Sequence, residues 1–152
     1  MQTKKYLGQI DWYSRRIEFK INELQKLKEM STLIKTASLD DMKVQSGTKE
    51  NHMENTVIAI ADTQREIEKL IETLISKKAQ IVSEIEKMED INEYSVLTMR
   101  YVECKTIREI ASNMKYTEKN IERIHAKAID NFTLLYGVEK GLTNEKVCKK
   151  CE

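Results

Sequence analysis

The sequence predicts an all-α protein in which two long helices precede a group of shorter ones. Its 152 residues include no proline and only four glycines, and helix-favouring residues such as Glu, Lys, Ile and Leu fill much of the rest. Apolar residues recur at seven-residue intervals over long stretches, which is typical of helices that pack along their length. Aromatic residues are few, with two Phe, six Tyr and one Trp, so we expect apolar burial between long helices.

Charge and composition narrow the class of protein further. The chain carries 26 basic and 25 acidic residues, for a formal net charge of +1, so charge alone does not indicate nucleic-acid binding. No apolar run is long enough to cross a bilayer, and residues 1–6 lack the apolar core of a signal peptide. The three cysteines show no disulfide-framework spacing. Together these features favour a cytoplasmic protein without a membrane partner.

The first helix is predicted from about Thr3 to Met30. Within it, Ile10, Ile17 and Leu24 repeat every seven residues and form a seam for a partner helix. The following residues, 31–55, are rich in turn-forming and small polar side chains, and their apolar residues have no sustained period. We predict a long connection there.

The second long helix is predicted from about Asn55 to Met88. Its strongest apolar series recurs every seven residues: Ile60, Ile67, Leu74, Ile81 and Met88. Gln64 and Lys78 are polar members of the neighbouring series, and such residues commonly set register or oligomeric state. Residues 1–90 are thus predicted to form a coiled-coil region.

The two seams have two possible uses. They can pack together as an antiparallel hairpin within one chain, or they can drive self-association. We favour a homo-oligomer, because both seams are long and few other core residues exist. The residues predicted to mediate oligomerisation are Ile10, Ile17, Leu24, Ile60, Ile67, Leu74 and Ile81.

Shorter helices are predicted over residues 91–136. Residues 92–103 form the first. Thr106 can cap the second, and Glu109, three residues later, completes a capping box. Thr117 can cap the third.

The third short helix is predicted to end near Tyr136-Gly137, where the glycine can adopt a left-handed cap. Residues 137–152 are predicted to form a flexible tail.

The last two helices and their tight turn have the pattern of a helix-turn-helix. The small Ala111 lets the helices cross closely. On the outer face, Lys and Arg side chains can contact phosphates or guanine edges, and Asn can pair with adenine. Double-stranded DNA is therefore the predicted partner. The predicted DNA-binding residues are Lys115, Tyr116, Thr117, Lys119, Asn120, Arg123 and Lys127.

The same region carries a family resemblance. Residues 97–101, with Thr106, Glu109-Ile110-Ala111 and Thr117, resemble region 4 of housekeeping-type sigma factors. Residues 116–119 and 123–125 more closely resemble the phage transcriptional regulators of the ArpU/RinA type. The resemblance extends over most of residues 40–132 and is strongest over 92–132.

This resemblance implies a phage or prophage regulator of late genes, such as packaging or lysis genes, in the host bacterial cytoplasm. The chain departs from the family pattern at Cys104 and Lys115, where glycine is usual. Both are turn positions that should require a left-handed backbone, which costs a residue with a Cβ roughly 1–2 kcal/mol.

The local charge predicts weak binding by a lone domain. Residues 92–136 contain seven basic and six acidic residues, whereas phosphate attraction supplies much of DNA affinity. An oligomer, or docking on RNA polymerase, would compensate. Two alternative functions stay open: a small terminase subunit that binds phage DNA for packaging, and a module that binds RNA polymerase or other proteins.

No enzyme, cofactor or metal is predicted. The sequence lacks a phosphate-binding glycine loop and paired catalytic carboxylates. His125 is interpreted as a packed or rim residue and Cys104 as a small buried one. Cys148 and Cys151 form a single CxxC pair, whereas a structural zinc site needs four ligands.

Overall fold

A computed structural model of the protein describes residues 2–40, 48–137 and 139–141. These residues contain helices and no strand, which confirms the all-α class. The helices are α1 (Gln2–Leu7), α2 (Gln9–Asp40), α3 (Thr48–Ile85), α4 (Ile91–Leu97), a π-helical segment (Thr98–Val102), α5 (Ile107–Met114) and α6 (Glu118–Tyr136).

The two long helices extend further than the sequence analysis predicts. Residues 31–40 and 48–55 are helical, so the predicted connection over 31–55 is too long; residues 41–47 lie outside the described part. The threonines of this stretch are accommodated within the helix. The hydroxyl of Thr32 donates to the carbonyl of Lys28 at 3.0 Å, and that of Thr36 donates to the carbonyl of Thr32 at 3.2 Å.

A glycine separates α1 from α2 within the predicted first helix. The Gly8 amide still donates to the Lys4 carbonyl at 2.9 Å, and the Gly8 carbonyl accepts from the Trp12 amide at 3.1 Å. A Cβ at Gly8 would lie only 3.0 Å from the Lys4 carbonyl oxygen. The missing side chain therefore relieves crowding at the junction.

The described residues divide into two compact units. One comprises Tyr13–Leu74, and the other combines residues 2–12 with those from Ile75 onward. This division differs from the predicted boundary at 90/91, because α1 and the end of α3 belong with α4–α6. Direct contact supports that grouping: Thr3 Oγ1 lies 2.7 Å from Thr133 Oγ1.

In the unit of residues 13–74, segments of α2 and α3 lie side by side. Lys20 Nζ is 2.8 Å from Glu66 Oε2, a distance that requires the two helices to be adjacent. Ile17 and Ile67 are buried, each within a turn of this ion pair along its helix. Burial of such side chains supplies the main stabilisation of paired helices.

The other unit is organised around the buried carboxylate of Glu84. The Tyr6 hydroxyl donates to both of its oxygens, at 2.8 and 3.0 Å, and Lys140 forms an ion pair with it. The Tyr136 hydroxyl donates to the Glu84 carbonyl at 3.2 Å. A buried charge is tolerated only when it is matched in this way, so the network joins α1, α3 and the chain after α6.

Lys140 shows that the chain immediately after α6 is packed, unlike the predicted flexible tail over 137–152. Burial disfavours its charged form, but hydrogen bonds to Glu84 and Tyr6 outweigh burial and raise the pKa of Lys140. Residues 138 and 142–152, with the Cys148–Cys151 pair, lie outside the described residues.

The predicted left-handed cap at Gly137 is wrong. The φ of Gly137 is −59°, and its amide donates to the Thr133 carbonyl in the helical manner. The positive φ, 61°, is instead found at Gly141.

We predict that Lys140→Ala destabilises the protein by roughly 1–3 kcal/mol, because it leaves the buried Glu84 carboxylate without its cation. Equilibrium denaturation should show this as a lower free energy of unfolding. The control is Lys26→Ala, which removes an exposed lysine from α2 and should stay within about 0.5 kcal/mol of the parent. Equal stability of both variants would contradict the role of the network.

Candidate nucleic-acid interface

Helix α4 begins with a side-chain cap provided by Asp90. Asp90 Oδ1 accepts the backbone amides of Asn92 and Glu93 at 2.9 and 3.4 Å, and these hydrogen bonds, the Asn92 bond foremost, lower the pKa of Asp90. The following residues Val96 and Leu97 are fully buried. The cap therefore fixes where α4 begins, and the burial of Val96 and Leu97 identifies the face of α4 that is turned inward.

After the π-helical segment, the chain turns sharply at Cys104, whose φ is 56°. This confirms the left-handed backbone expected there. The turn is held by the Lys105 amide, which donates to the Met99 carbonyl at 2.9 Å, and by Arg100 Nη1, which donates to the Lys105 carbonyl at 2.8 Å. The expectation that Cys104 is buried is wrong: the thiol belongs to an exposed residue, because a left-handed turn at the surface directs it outward.

The capping box predicted for α5 is confirmed. Glu109 Oε2 accepts from the Thr106 amide at 2.7 Å, and the Glu109 amide donates to Thr106 Oγ1 at 3.3 Å. The Thr106 backbone hydrogen bond is the first cause of the lowered pKa of Glu109. Two otherwise unpaired amides at the start of α5 are thereby satisfied.

Three residues, 115–117, join α5 to α6. Lys115 has a φ of 57°, again as expected from the sequence. Its amide donates to the Ser112 carbonyl at 3.4 Å, and the Tyr116 amide donates to the Ala111 carbonyl at 3.0 Å, which is the Schellman pattern. Thr117 then caps α6 by accepting the Asn120 amide at 3.3 Å.

The inner faces of α4, α5 and α6 share one apolar cluster. Ile110 and Ile121 are fully inaccessible, and Ala111 is nearly so, as expected for helices that cross closely at a small residue. The members of the cluster are Val96, Ile110, Ala111 and Ile121, with Met99, Ile107, Met114 and Ile124 packed against them. This packing sets the rotation of α6 about its own axis.

The opposite face of α6 is polar and directed away from the cluster. Lys119 and Arg123 are exposed and Asn120 is half-buried. Arg123 Nη2 donates to Asn120 Oδ1 at 3.1 Å, which orients the guanidinium and leaves the Asn120 amide hydrogens available. Ala126, also exposed, adds little bulk, so another molecule can approach the helix backbone closely. In the turn, Lys115, Tyr116 and Thr117 are exposed as well.

Lys127, predicted to bind DNA, is engaged within the protein. Its Nζ lies 2.7 Å from Glu93 Oε1 and 3.4 Å from Asp90 Oδ2. Glu93 is 2% exposed, and its second oxygen accepts from Asn131 Nδ2 at 2.7 Å. The hydrogen bond to Glu93 is the main reason why the pKa of Lys127 is raised. Lys127 therefore ties α6 to α4.

An open groove of about 360 Å³ lies beside these ion pairs. It carries both signs of charge, since α4 contributes carboxylates and α6 contributes cations. Its lining residues are Asp90, Asn92, Glu93, Tyr116, Asn120, Arg123, Ile124 and Lys127. The groove thus separates the acidic start of α4 from the outward face of α6.

Internal pairing leaves exposed cations on α5, the turn and α6, next to the exposed carboxylates Glu118 and Glu122. Lys105 Nζ lies 2.6 Å from Glu103 Oε2, Arg100 donates to a carbonyl, and Lys127 is paired as above. Four basic residues of this region make no ion pair with any residue that the structure describes: Arg108, Lys115, Lys119 and Arg123. Arg108 was not among the predicted DNA-binding residues, although it falls outside the apolar Ile107–Ile110–Ala111–Met114 face.

The residues predicted to mediate oligomerisation are largely enclosed by their own chain. Ile10, Ile17, Ile67 and Ile81 are buried, and Leu24, Ile60 and Leu74 are half-buried. A second copy would have to open the packing of a single chain to reach the buried four. The role of these seven residues in oligomerisation stays a prediction.

His125 is packed, in keeping with its sequence interpretation. Its Nε2 lies 3.0 Å from the Tyr101 hydroxyl, and the two rings stack with centroids 5.7 Å apart. Burial, followed by the charges of Lys4 and Arg100, lowers the pKa of His125 to about 4. The imidazole is therefore neutral at pH 7.

The described residues define an all-helical protein in which two side-chain-capped helices, α5 and α6, are joined by a turn of three residues. Residues 16–133 match the family described as "Protein of unknown function (DUF1492)", and the chain belongs to that family. No curated protein and no solved structure matches the chain. Among the described helices, none combines the length and apolar character needed to cross a membrane.

We predict that His125 makes stability depend on pH. Its folded pKa of about 4 lies below the ordinary value of 6.5, so the unfolded chain binds the extra proton between these values. The stabilisation that the protein gains from keeping His125 neutral is complete above pH 6.5 and is lost as the pH falls towards 4. When the free energy of unfolding is measured by denaturation at pH 7 and at pH 4.5, it should fall less between these two values in His125→Gln than in the parent. An NMR titration of His125 near pH 6.5 would contradict this.

Proposed function

We propose that the protein is a DNA-binding transcriptional regulator of phage or prophage type, with α5, the turn and α6 acting as a helix-turn-helix. The proposal is supported by the set of cations on this segment that make no ion pair with any described residue, on the side opposite the apolar cluster. In a helix-turn-helix, the second helix enters the major groove and its N-terminal residues contact base edges. Here that helix is α6.

The side chains on α6 have the chemistry required for reading bases. Arg123 can contact the O6 and N7 atoms of guanine, and the amide of Asn120 can contact adenine. The Arg123–Asn120 hydrogen bond of 3.1 Å already orients both side chains, so less side-chain conformational entropy is lost when DNA binds. Lys119, Lys115 and Arg108 are suited to contacts with phosphates, which position the protein on the duplex.

Acidic residues limit the DNA footprint. Glu118 and Glu122 are exposed and lie on the flank of α6 away from Asn120. On the other side, Asp90 and Glu93 neutralise Lys127. The favourable strip is therefore narrow, and a single copy is expected to bind weakly, so we propose that an oligomer or contact with RNA polymerase supplies the remaining affinity. Control of late phage genes is the role implied by the ArpU/RinA resemblance.

We predict that Arg123→Ala and Lys119→Ala each weaken binding to DNA from the late region of the protein's own prophage. Arg123→Ala should lower the binding free energy by about 1–3 kcal/mol if Arg123 contacts guanine. Lys119→Ala should reduce the slope of log affinity against log salt concentration by about one, the value for one lost phosphate contact. Fluorescence anisotropy at several salt concentrations measures both effects. Lys26→Ala, which removes the same charge from α2, is the control and should bind like the parent.

Three outcomes would redirect the proposal. If neither α6 variant changes affinity, the recognition helix is assigned wrongly. If the protein binds RNA polymerase but not DNA, it is a protein-interaction module. If light scattering shows a large closed ring, a small terminase subunit becomes the better assignment.

A further inference from the structure

The long helix α3 exposes a second stripe of residues, distinct from its buried series. Val57 is 52% exposed, Ile71 39% and Ile75 64%, although all three are apolar. The complete set, which we call the α3 stripe, is Glu54, Val57, Ala61, Gln64, Glu68, Ile71, Ile75 and Lys78. Its members alternate at spacings of three and four residues, the pattern of a surface that packs on another helix.

The α3 stripe lies beside the buried series of α3. Gln64 and Lys78, which the sequence analysis assigns to the series next to the seam, are exposed and belong to the stripe. At roughly 100° per residue, Val57 lies about 60° and Ala61 about 100° around the helix from Ile60, both on the same side of it. Ile60 belongs to the series that includes the buried Ile67 and Ile81. Ile67 and Ile81 of that series are buried within the chain, whereas the residues of the α3 stripe are exposed except for Ala61, which is half-buried.

The order of residues in the α3 stripe is symmetric about position 66. If a second α3 lay antiparallel across it, Val57 would meet Ile75 of the second copy, and Ala61 would meet Ile71 of the second copy. The same register places Gln64 opposite Glu68 and Glu54 opposite Lys78. Each layer is then chemically matched: two are apolar, one pairs an amide donor with a carboxylate, and one pairs opposite charges.

A parallel arrangement would lack this match. Glu54, Glu68 and Lys78 would each face the same residue of the second copy, and like charges at an interface are unfavourable. Glu54, Gln64, Glu68 and Lys78 are all exposed and make no ion pair with residues that the structure describes. Their charges are therefore available to a partner.

We propose that the protein forms a homodimer through antiparallel packing of two α3 stripes. This proposal goes beyond the proposed function and does not rest on it, because the interface contains none of the residues assigned to DNA. Its test uses the free protein, so a failure to bind DNA and a failure to dimerise can be distinguished.

The first test replaces an exposed apolar residue of the α3 stripe. Sedimentation equilibrium of the full chain should give twice the 17.8 kDa mass of one chain. Ile71→Asp and Ile75→Asp should each raise the dimer Kd by about 100-fold or more, since each buries two unpaired charges per dimer. Helix content and melting of the dissociated chain should be unchanged. Phe19→Asp, at a site on α2 that is 73% exposed, is the control and should remain dimeric.

The second test examines the antiparallel register. Glu54→Lys and Lys78→Glu should each raise the Kd by roughly three- to tenfold, because each creates two like-charge contacts per dimer. The double variant should restore the parent Kd. A monomeric parent at all concentrations, a dimer unaffected by either stripe variant, or additive losses in the double variant would overturn the proposal.

Discussion

The need to match a buried carboxylate organises the unit that carries α4–α6. Glu93 is enclosed and takes its countercharge from Lys127 at 2.7 Å and a hydrogen bond from Asn131 at 2.7 Å. Because both partners stand on α6, the helix is fixed to α4 at two successive turns. The apolar cluster around Ile110 and Ile121 then sets which face of α6 turns outward. Removing one side of such a pair is costlier than never having built it.

Glu84 applies the same constraint at the other end of this unit. Its charge draws in Tyr6 from α1 and Lys140 from the chain after α6, so residues far apart in sequence share one polar centre. Side chains of α6 thus contact both buried glutamates: Lys127 and Asn131 contact the Glu93 carboxylate, and Tyr136 contacts the backbone carbonyl of Glu84. These contacts hold α6 in place, and its exposed face contains Lys119 and Arg123.

Local features of this fold could be predicted from the sequence, and long-range ones could not. The Thr106–Glu109 capping box depends on neighbouring residues, so its sequence signal suffices, whereas the left-handed turns at Cys104 and Lys115 are expected only from the glycines usual in the family that the chain resembles. The pairing of Lys127 with Glu93 could not be predicted from the sequence, because the two residues lie on different helices. A lysine at an outward position of α6 looks the same in the sequence whether or not it has such a partner.

The long helices show a different limit of sequence reasoning. Their heptads predict an apolar face on each helix but do not say whether the same chain or another one covers it. Ile17 and Ile67 prove to be buried in one chain. Likewise, the polar stretch after Met30 suggests a loop, yet hydroxyl groups such as that of Thr36 bond to the helix backbone and allow α2 to continue.

The left-handed backbone at Lys115 affects both the conformational energy of the turn and the charge that the turn carries. A glycine there would adopt the positive φ of 57° without crowding, whereas a lysine loses roughly 1–2 kcal/mol. The glycine, however, would carry no ammonium group, and the outward surface would lose one of its four unneutralised cations. The turn at Lys115 thus combines a strained backbone with an exposed positive charge.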